Sequence, residues 1–190
     1  MKNYIIGYGS LINTESQNIT GQTFSSQPVI LQGYSRSWSV VYDDLQFCAL
    51  GVYHNKSSHI NVALFEVENL QVFDLREHGY TRVELDPALL TAWNENEKIP
   101  DNGKIWIYLP FKEKLGKASE KHFIWQSYVD VILMGCLSVG QKFAQEFMKT
   151  TTEYNKEFLK NDRNESAYLK ALKTHQPEAV DQILANVRQD

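Results

Sequence analysis

The chain is poor in cysteine: Cys48 and Cys136 are the only two in 190 residues. Two cysteines cannot build a disulfide framework. Cys48 falls in an apolar strand-like run and Cys136 in a helical apolar stripe, so both read as buried free thiols. Basic residues are also limited. There are 19 Lys and Arg against 23 Asp and Glu, a formal charge of −4, and they form no run. That distribution argues against nucleic acid as a partner. No apolar stretch reaches the length of a membrane span, so no membrane is expected. A basic n-region and a long apolar h-region are both missing from the N-terminus; no signal peptide is expected, and a cytoplasmic location follows. The histidines, at positions 54, 59, 78, 122 and 175, lack ligand spacing, which leaves a metal site without support. Gly7-x-Gly9 would open a dinucleotide fingerprint, but its third glycine would fall on Ile12, and no Gly-Lys-Ser/Thr follows. There is no Gly-x-Ser-x-Gly elbow for a hydrolase triad. Internal repeats and low-complexity segments are absent too.

What is present is apolar and aromatic. The chain is 43% hydrophobic and 12% aromatic, with ten tyrosines. That is enough for a proper core, and tyrosine can line a wet pocket as well as fill a dry one. Residues 3–8 form a candidate strand. Residues 13–26 read as loop with one helical turn. β-type segments occupy 29–42 around Gly33, with Trp38, Val40 and Tyr42 alternating. Two further strands are expected at 47–53 and 60–67, joined by a hairpin at Asn55-Lys56-Ser57-Ser58. Asn69 N-caps a short helix over 70–78, with Gly79 as its stop. Residues 80–85 alternate again. The turn Pro100-Asp101-Asn102-Gly103 precedes a strand over 104–109. From about residue 120 the period becomes helical. Trp125, Val129, Ile132, Cys136, Val139, Phe143 and Phe147 form one stripe, in which Gly135 and Gly140 permit close approach. A polar connection, 161–166, precedes two shorter helices. Pro177 opens the last, whose stripe is Val180, Ile183, Leu184 and Val187. The expected organisation is a β-rich body over 1–118 and a helical extension over 119–190 packed on it.

Two motifs carry chemistry. Tyr8-Gly9-Ser10-Leu11 follows the first strand as a glycine-bracketed turn. Such a turn is often only a turn, but successive N–H groups of Gly9, Ser10 and Leu11 can also converge on a carboxylate. Leu75-Arg76-Glu77-His78-Gly79-Tyr80 closes the short helix. An exposed helical glutamate is ordinarily solvated surface. Here the helix C-terminus disfavours its charge, and Asp74, three residues earlier, is a like-charge neighbour. With an apolar site these effects all raise the pKa of Glu77 toward that of a general base. Arg76 is adjacent in sequence and points elsewhere unless it folds back, and His78 is a rival base. The two motifs together suggest chemistry on a small amino-acid-like substrate.

With these residues in view, the chain resembles the γ-glutamylcyclotransferase superfamily, nearest its ChaC-like branch. The matching runs are Tyr8-Gly9-Ser10-Leu11-Ile12, Gly33-Tyr34-Ser35-Arg36-Ser37-Trp38 and Arg76-Glu77-His78-Gly79-Tyr80-Thr81-Arg82, and they cover residues 3–110. The resemblance implies an α+β fold built on a small mixed β-barrel with short helices, here with a C-terminal helical extension. It implies conversion of γ-glutamyl compounds to 5-oxoproline with release of an amine, without cofactor or metal. Glu77 matches the catalytic glutamate and residues 8–11 the substrate-carboxylate loop; Arg36, Tyr80 and Tyr108 would join Tyr8, Gly9, Ser10 and Leu11 in binding substrate. Glutathione-specific members carry a Gly/Ser/Asp-rich stretch that the shorter 40–50 segment lacks. The expected partner is therefore a small γ-glutamyl substrate whose leaving amine is smaller than cysteinylglycine. The alternative is a catalytically silent binding or interaction module on the same fold. The C-terminal helices would be the surface through which it docks a partner or pairs with a second copy.

Overall fold

Alternating apolar residues build one large mixed sheet, seen in a computed structural model that describes residues 1–165, 168, 172 and 176–186. The elements in chain order are β1 (Asn3–Gly7), α1 (Thr14–Thr20), β2 (Thr23–Tyr42), β3 (Phe47–Val67), α2 (Leu70–Arg76), β4 (Tyr80–Leu85), β5 (Leu90–Ala92) and β6 (Lys104–Pro110). They continue with β7 (Ile124–Trp125), α3 (Gln126–Val139), α4 (Gln141–Lys149), β8 (Thr151–Thr152), β9 (Leu159–Lys160) and α5 (Pro177–Ala185). The sheet runs β4-β6-β1-β3-β2-β5, and β8 also pairs with β2. β1 lies parallel to β6 and antiparallel to β3, so the end of β1 delivers residues 8–11 to the middle of the sheet's rim.

The fold is mixed α+β, but the expected barrel is not closed. β5 covers Val29–Leu31 and β8 covers Arg36–Ser37 on the outer side of β2. That leaves β4 paired only with β6 among the described residues. Nor is there a hairpin at 55–58. β3 is one strand of 21 residues. Gln32 faces His59 and Tyr34 faces His54, so residues 55–58 bulge out opposite Gly33, whose φ is 78°. The hairpin lies at 43–46, where Gln46 takes φ 50° and the register resumes at Tyr42 and Phe47. α1 makes 13–26 more ordered than expected; the Asn13 side chain caps it, accepting from the N–H groups of Glu15 and Ser16.

The long helical stripe is two helices. Gly140, at φ 146°, ends α3 and starts α4, a conformation that a β-carbon would disfavour. Ser166, Val187 and most of the first of the two expected short helices lie outside the described residues. The largest apolar cluster joins Trp38, Val40 and Leu50 of the sheet to Ile132, Leu133, Phe143, Phe147, Val180 and Ile183 of the helices. Each such side chain contributes about 1.5–3 kcal/mol when buried. Gly135 lets α3 lie against the backbone of Asn13, since a β-carbon there would stand 2.6 Å from the Asn13 nitrogen. Asn13 Nδ2 donates to the Val131 carbonyl at 3.0 Å. The turn after β1 is thereby locked to α3, which carries Tyr128.

Candidate active site

The site begins where β1 ends. A β-carbon on Gly7 would collide with the Leu11 carbonyl, so only glycine lets the chain fold back here. Residues Ser10–Ile12 form a 3₁₀ turn, with Ile12 N–H donating to the Gly9 carbonyl (2.9 Å) and Asn13 N–H to the Ser10 carbonyl (3.2 Å). Among the described residues, the N–H groups of Gly9, Ser10 and Leu11 have no acceptor. The Leu11 carbonyl is occupied by Gln17 Nε2 at 2.8 Å. Tyr8 is buried, and its hydroxyl donates to the Tyr108 carbonyl at 2.6 Å.

Glu77 is the residue just beyond α2, not a member of its last turn. It caps the helix at φ −87°, ψ 41°. Its N–H donates to the Phe73 carbonyl, and its own carbonyl accepts from Tyr80 N–H, both at 2.9 Å. The Glu77 side chain is 16% exposed, and Arg76 Nε lies 3.5 Å from Oε1. No hydrogen-bond donor reaches the carboxylate among the described residues. Burial pushes its pKa up, while the Arg76 and His78 charges pull it part of the way back. Asp74 does not contribute as expected. Its Oδ1 accepts from the Tyr108 hydroxyl (2.8 Å) and its Oδ2 pairs with Arg82 Nη1 (2.9 Å). Once the chain leaves helical geometry at Glu77, the three-residue spacing no longer places the two carboxylates on one face.

Arg76 folds back toward the site. It donates to the Ser16 carbonyl (2.8 Å), Ser16 Oγ (2.8 Å), Ser10 Oγ (2.9 Å) and Thr20 Oγ1. One guanidinium therefore ties the end of α2 to the 3₁₀ turn and to α1, while its Nε lies 3.5 Å from Glu77 Oε1. Gly79 gives the same corner its clearance, because a β-carbon there would stand 2.5 Å from the Tyr42 hydroxyl.

A set of buried phenols surrounds the carboxylate. Burial first, and the Glu77 charge among the further causes, raises the pKa of Tyr8, Tyr42, Tyr80 and Tyr128, with Tyr42 reaching about 12. All four remain neutral hydrogen-bonding groups at physiological pH. Tyr80 donates to the Leu50 carbonyl at 2.9 Å. The Tyr128 hydroxyl sits where a β-carbon on Gly9 would be only 2.9 Å away, so glycine at position 9 is what admits it. Tyr42 and Tyr128 are absent from the expected site. For Tyr128 a signal was present: it lies three residues after Trp125 and four before Ile132, on the helical stripe.

Two expected substrate contacts are placed otherwise. Arg36 is fully buried and all its donors are spent within the protein. Nε donates to Thr151 Oγ1 (2.7 Å) and Nη1 to the carbonyls of Asn61 (2.8 Å) and Tyr8 (3.3 Å). Nη2 donates to Asn61 Oδ1, the Phe147 carbonyl and Thr150 Oγ1, each at 3.1 Å. The guanidinium also lies 3.6 Å over the Phe147 ring. Burial lowers its pKa to about 9, so it is still a cation at neutral pH. Arg36 thus supports the 8–11 turn from behind. Tyr108 commits its hydroxyl to Asp74 and offers the site only its carbonyl, to Tyr8.

No group of three or more His, Cys, Asp or Glu side chains capable of holding a metal occurs among the described residues. No helix among them is long and apolar enough to cross a membrane.

No protein-family model matches the chain, and no curated protein matches it in sequence. Solved structures do. One described as a gamma-glutamyl cyclotransferase superposes with a TM-score of 0.57 at 12% identity, over 98% of this chain and 100% of that one. An uncharacterised human protein, loc79017, gives 0.57 at 14% identity over 96% and 98%. YkqA from Bacillus subtilis gives 0.54 at 14% identity, over 78% of this chain and 53% of that one. At such identities the likeness is one of fold: the chain has a γ-glutamyl cyclotransferase-type architecture.

Proposed function

We propose that the chain is a γ-glutamyl cyclotransferase-like enzyme that converts a γ-glutamyl compound to 5-oxoproline and a free amine, with Glu77 as general acid and base. The observation that carries this reading is the Glu77 carboxylate itself. It is mostly buried, lacks a hydrogen-bond donor among the described residues, and stands among neutral phenols beside a turn with open N–H groups. Arg76 makes an ion pair with it at 3.5 Å but no hydrogen bond, which leaves the carboxylate open to take a proton.

In this reading the substrate's α-amine attacks its own γ-carbonyl carbon. The new C–N bond closes the five-membered lactam, and the bond to the leaving nitrogen breaks. Glu77 takes a proton from the attacking amine and returns one to the departing nitrogen, so no co-reactant is consumed. Both reacting groups belong to one molecule, so the protein's main task is to hold a folded conformer. The N–H groups of Gly9, Ser10 and Leu11 would receive the α-carboxylate. Tyr8, Tyr80, Tyr42 and Tyr128 would shape the cavity and keep Glu77 out of water. Arg36 is not among the proposed substrate contacts, and Tyr108 enters through its backbone.

The test is 5-oxoproline formation by purified protein across γ-glutamyl dipeptides, γ-glutamyl amines and glutathione. Turnover is expected, with kcat/KM higher for a small leaving amine than for glutathione. The absence of 5-oxoproline across the whole panel would contradict the enzyme reading and favour a silent binding module.

A further inference from the structure

Tyr168 reaches the site from the far end of the chain, 158 residues after Ser10. Its hydroxyl donates to Ser10 Oγ at 2.8 Å and accepts from Arg76 Nη2 at 3.4 Å. The ring stands edge-on to Tyr128 with centroids 4.7 Å apart, and 6.2 Å from Phe47. Its N–H donates to Ser127 Oγ at 3.3 Å. Ser127 is in turn clamped by Asp162, through its N–H (2.8 Å) and its hydroxyl (2.6 Å). The phenol is therefore held from both its ring and its backbone.

A serine hydroxyl has one proton to give and two lone pairs to fill. Arg76 can only donate, so its Nη2 fills one lone pair of Ser10 at 2.9 Å. The Tyr168 hydroxyl donates to Ser10 at 2.8 Å and fills the second. Ser10 is left with a proton that has no acceptor among the described residues, next to the open N–H groups of residues 9–11.

We propose that Tyr168 is a positioning residue: together with Arg76 it turns the Ser10 hydroxyl outward as a fourth donor to the α-carboxylate of a γ-glutamyl substrate. This rests on the reading of function above. It gives the C-terminal segment a part in substrate binding as well as in packing.

The experiment is a double-mutant cycle read by calorimetry. It uses the full-length Glu77→Gln protein, which is expected to hold ligand without turnover, and γ-glutamylalanine as the probe. Tyr168→Phe keeps the ring contacts and removes the hydroxyl. It is expected to weaken binding about tenfold, the loss of one hydrogen bond to a charged group. Ser10→Ala is expected to cost about the same, and the double variant no more than either alone. The α-carboxamide analogue of the probe, which has no carboxylate, is expected to bind Tyr168→Phe and its parent alike. Independent, multiplying losses would overturn the proposal while leaving the function intact. So would an equal loss with the carboxamide, which would mark a purely structural role. Failure of the parent protein to bind γ-glutamylalanine, with no 5-oxoproline from wild type, would overturn both readings together.

Discussion

Replacing Arg36 by methionine separates structural support from substrate contact. The side chain sits in a fully buried pocket and bonds to groups on β3, on α4 and beyond it, and at the end of β1. Methionine fills a similar length but offers no donor. The Phe147 carbonyl would keep the Thr151 hydroxyl, which already donates to it at 2.5 Å. The Tyr8 carbonyl, the Asn61 carbonyl and Asn61 Oδ1 would each lose a donor with no replacement. Each buried acceptor left unmade costs about 1–3 kcal/mol, so three cost about 3–9 kcal/mol. Removing a buried cation recovers part of its desolvation cost. A net loss of about 3 kcal/mol is expected, and at about 2–4 °C per kcal/mol for a chain this long, Tm falls by about 6–12 °C. Thermal and urea unfolding of wild type and Arg36→Met measure this directly. At temperatures where the variant stays folded, KM should change little relative to Tm. An unchanged Tm with a large rise in KM would refute the assignment and return Arg36 to the substrate.

Three further outcomes follow from the same geometry. Glu77 has a raised pKa in the fold, so its stabilising contribution is complete below the unfolded value of about 4.3 and is lost as pH rises through the folded value. Glu77→Gln, permanently neutral, should raise Tm at pH 7, with the gain vanishing below about pH 4; a lower Tm at pH 7 would contradict the burial of the carboxylate. Asp74→Asn should leave the acid limb of kcat/KM where it is, because Asp74 is engaged by Arg82 and Tyr108 and not by Glu77. A limb that moves to lower pH in that variant would restore the like-charge pair. Truncation after residue 118 should abolish cooperative unfolding in urea, because Trp38, Val40 and Leu50 share one cluster with α3, α4 and α5; a cooperative transition in the truncated chain would show that the β-rich part folds alone.

Local signals in the sequence were reliable where the chain obeys local rules. Asn69 caps α2 as its position suggests, its side chain accepting from Gln71 N–H. The strand-like runs at 3–8, 80–85 and 104–109 are β1, β4 and β6, and the Gly7–Gly9 pair is the tight turn that builds the site. Errors arose where distant groups decide. A polar run, Asn55 to Ser58, has the composition of a hairpin turn, but β2 pairs with β3 on both sides of it and the excess residues bulge. Gly140 read as a packing glycine and is a helix break. Arg36 looks like a pocket residue in its strand. Its acceptors come from residues 25 to 115 positions away, which no local pattern reveals. Asp74 and Glu77 do not share a helical face, because α2 ends at Arg76. Glu77 itself was legible as a motif, while its phenol surroundings were not. Tyr42 and Tyr128 converge on it from β2 and α3, and either of them alone reads as an ordinary core aromatic.

The most direct test is the rate of 5-oxoproline release from a γ-glutamyl dipeptide by wild type and by Glu77→Gln, both verified as folded. Loss of the acid/base group should lower kcat/KM by about 10²-fold to 10⁴-fold. Activity of Glu77→Gln within a few fold of wild type would contradict the account, because the buried carboxylate would then take no part in moving the proton.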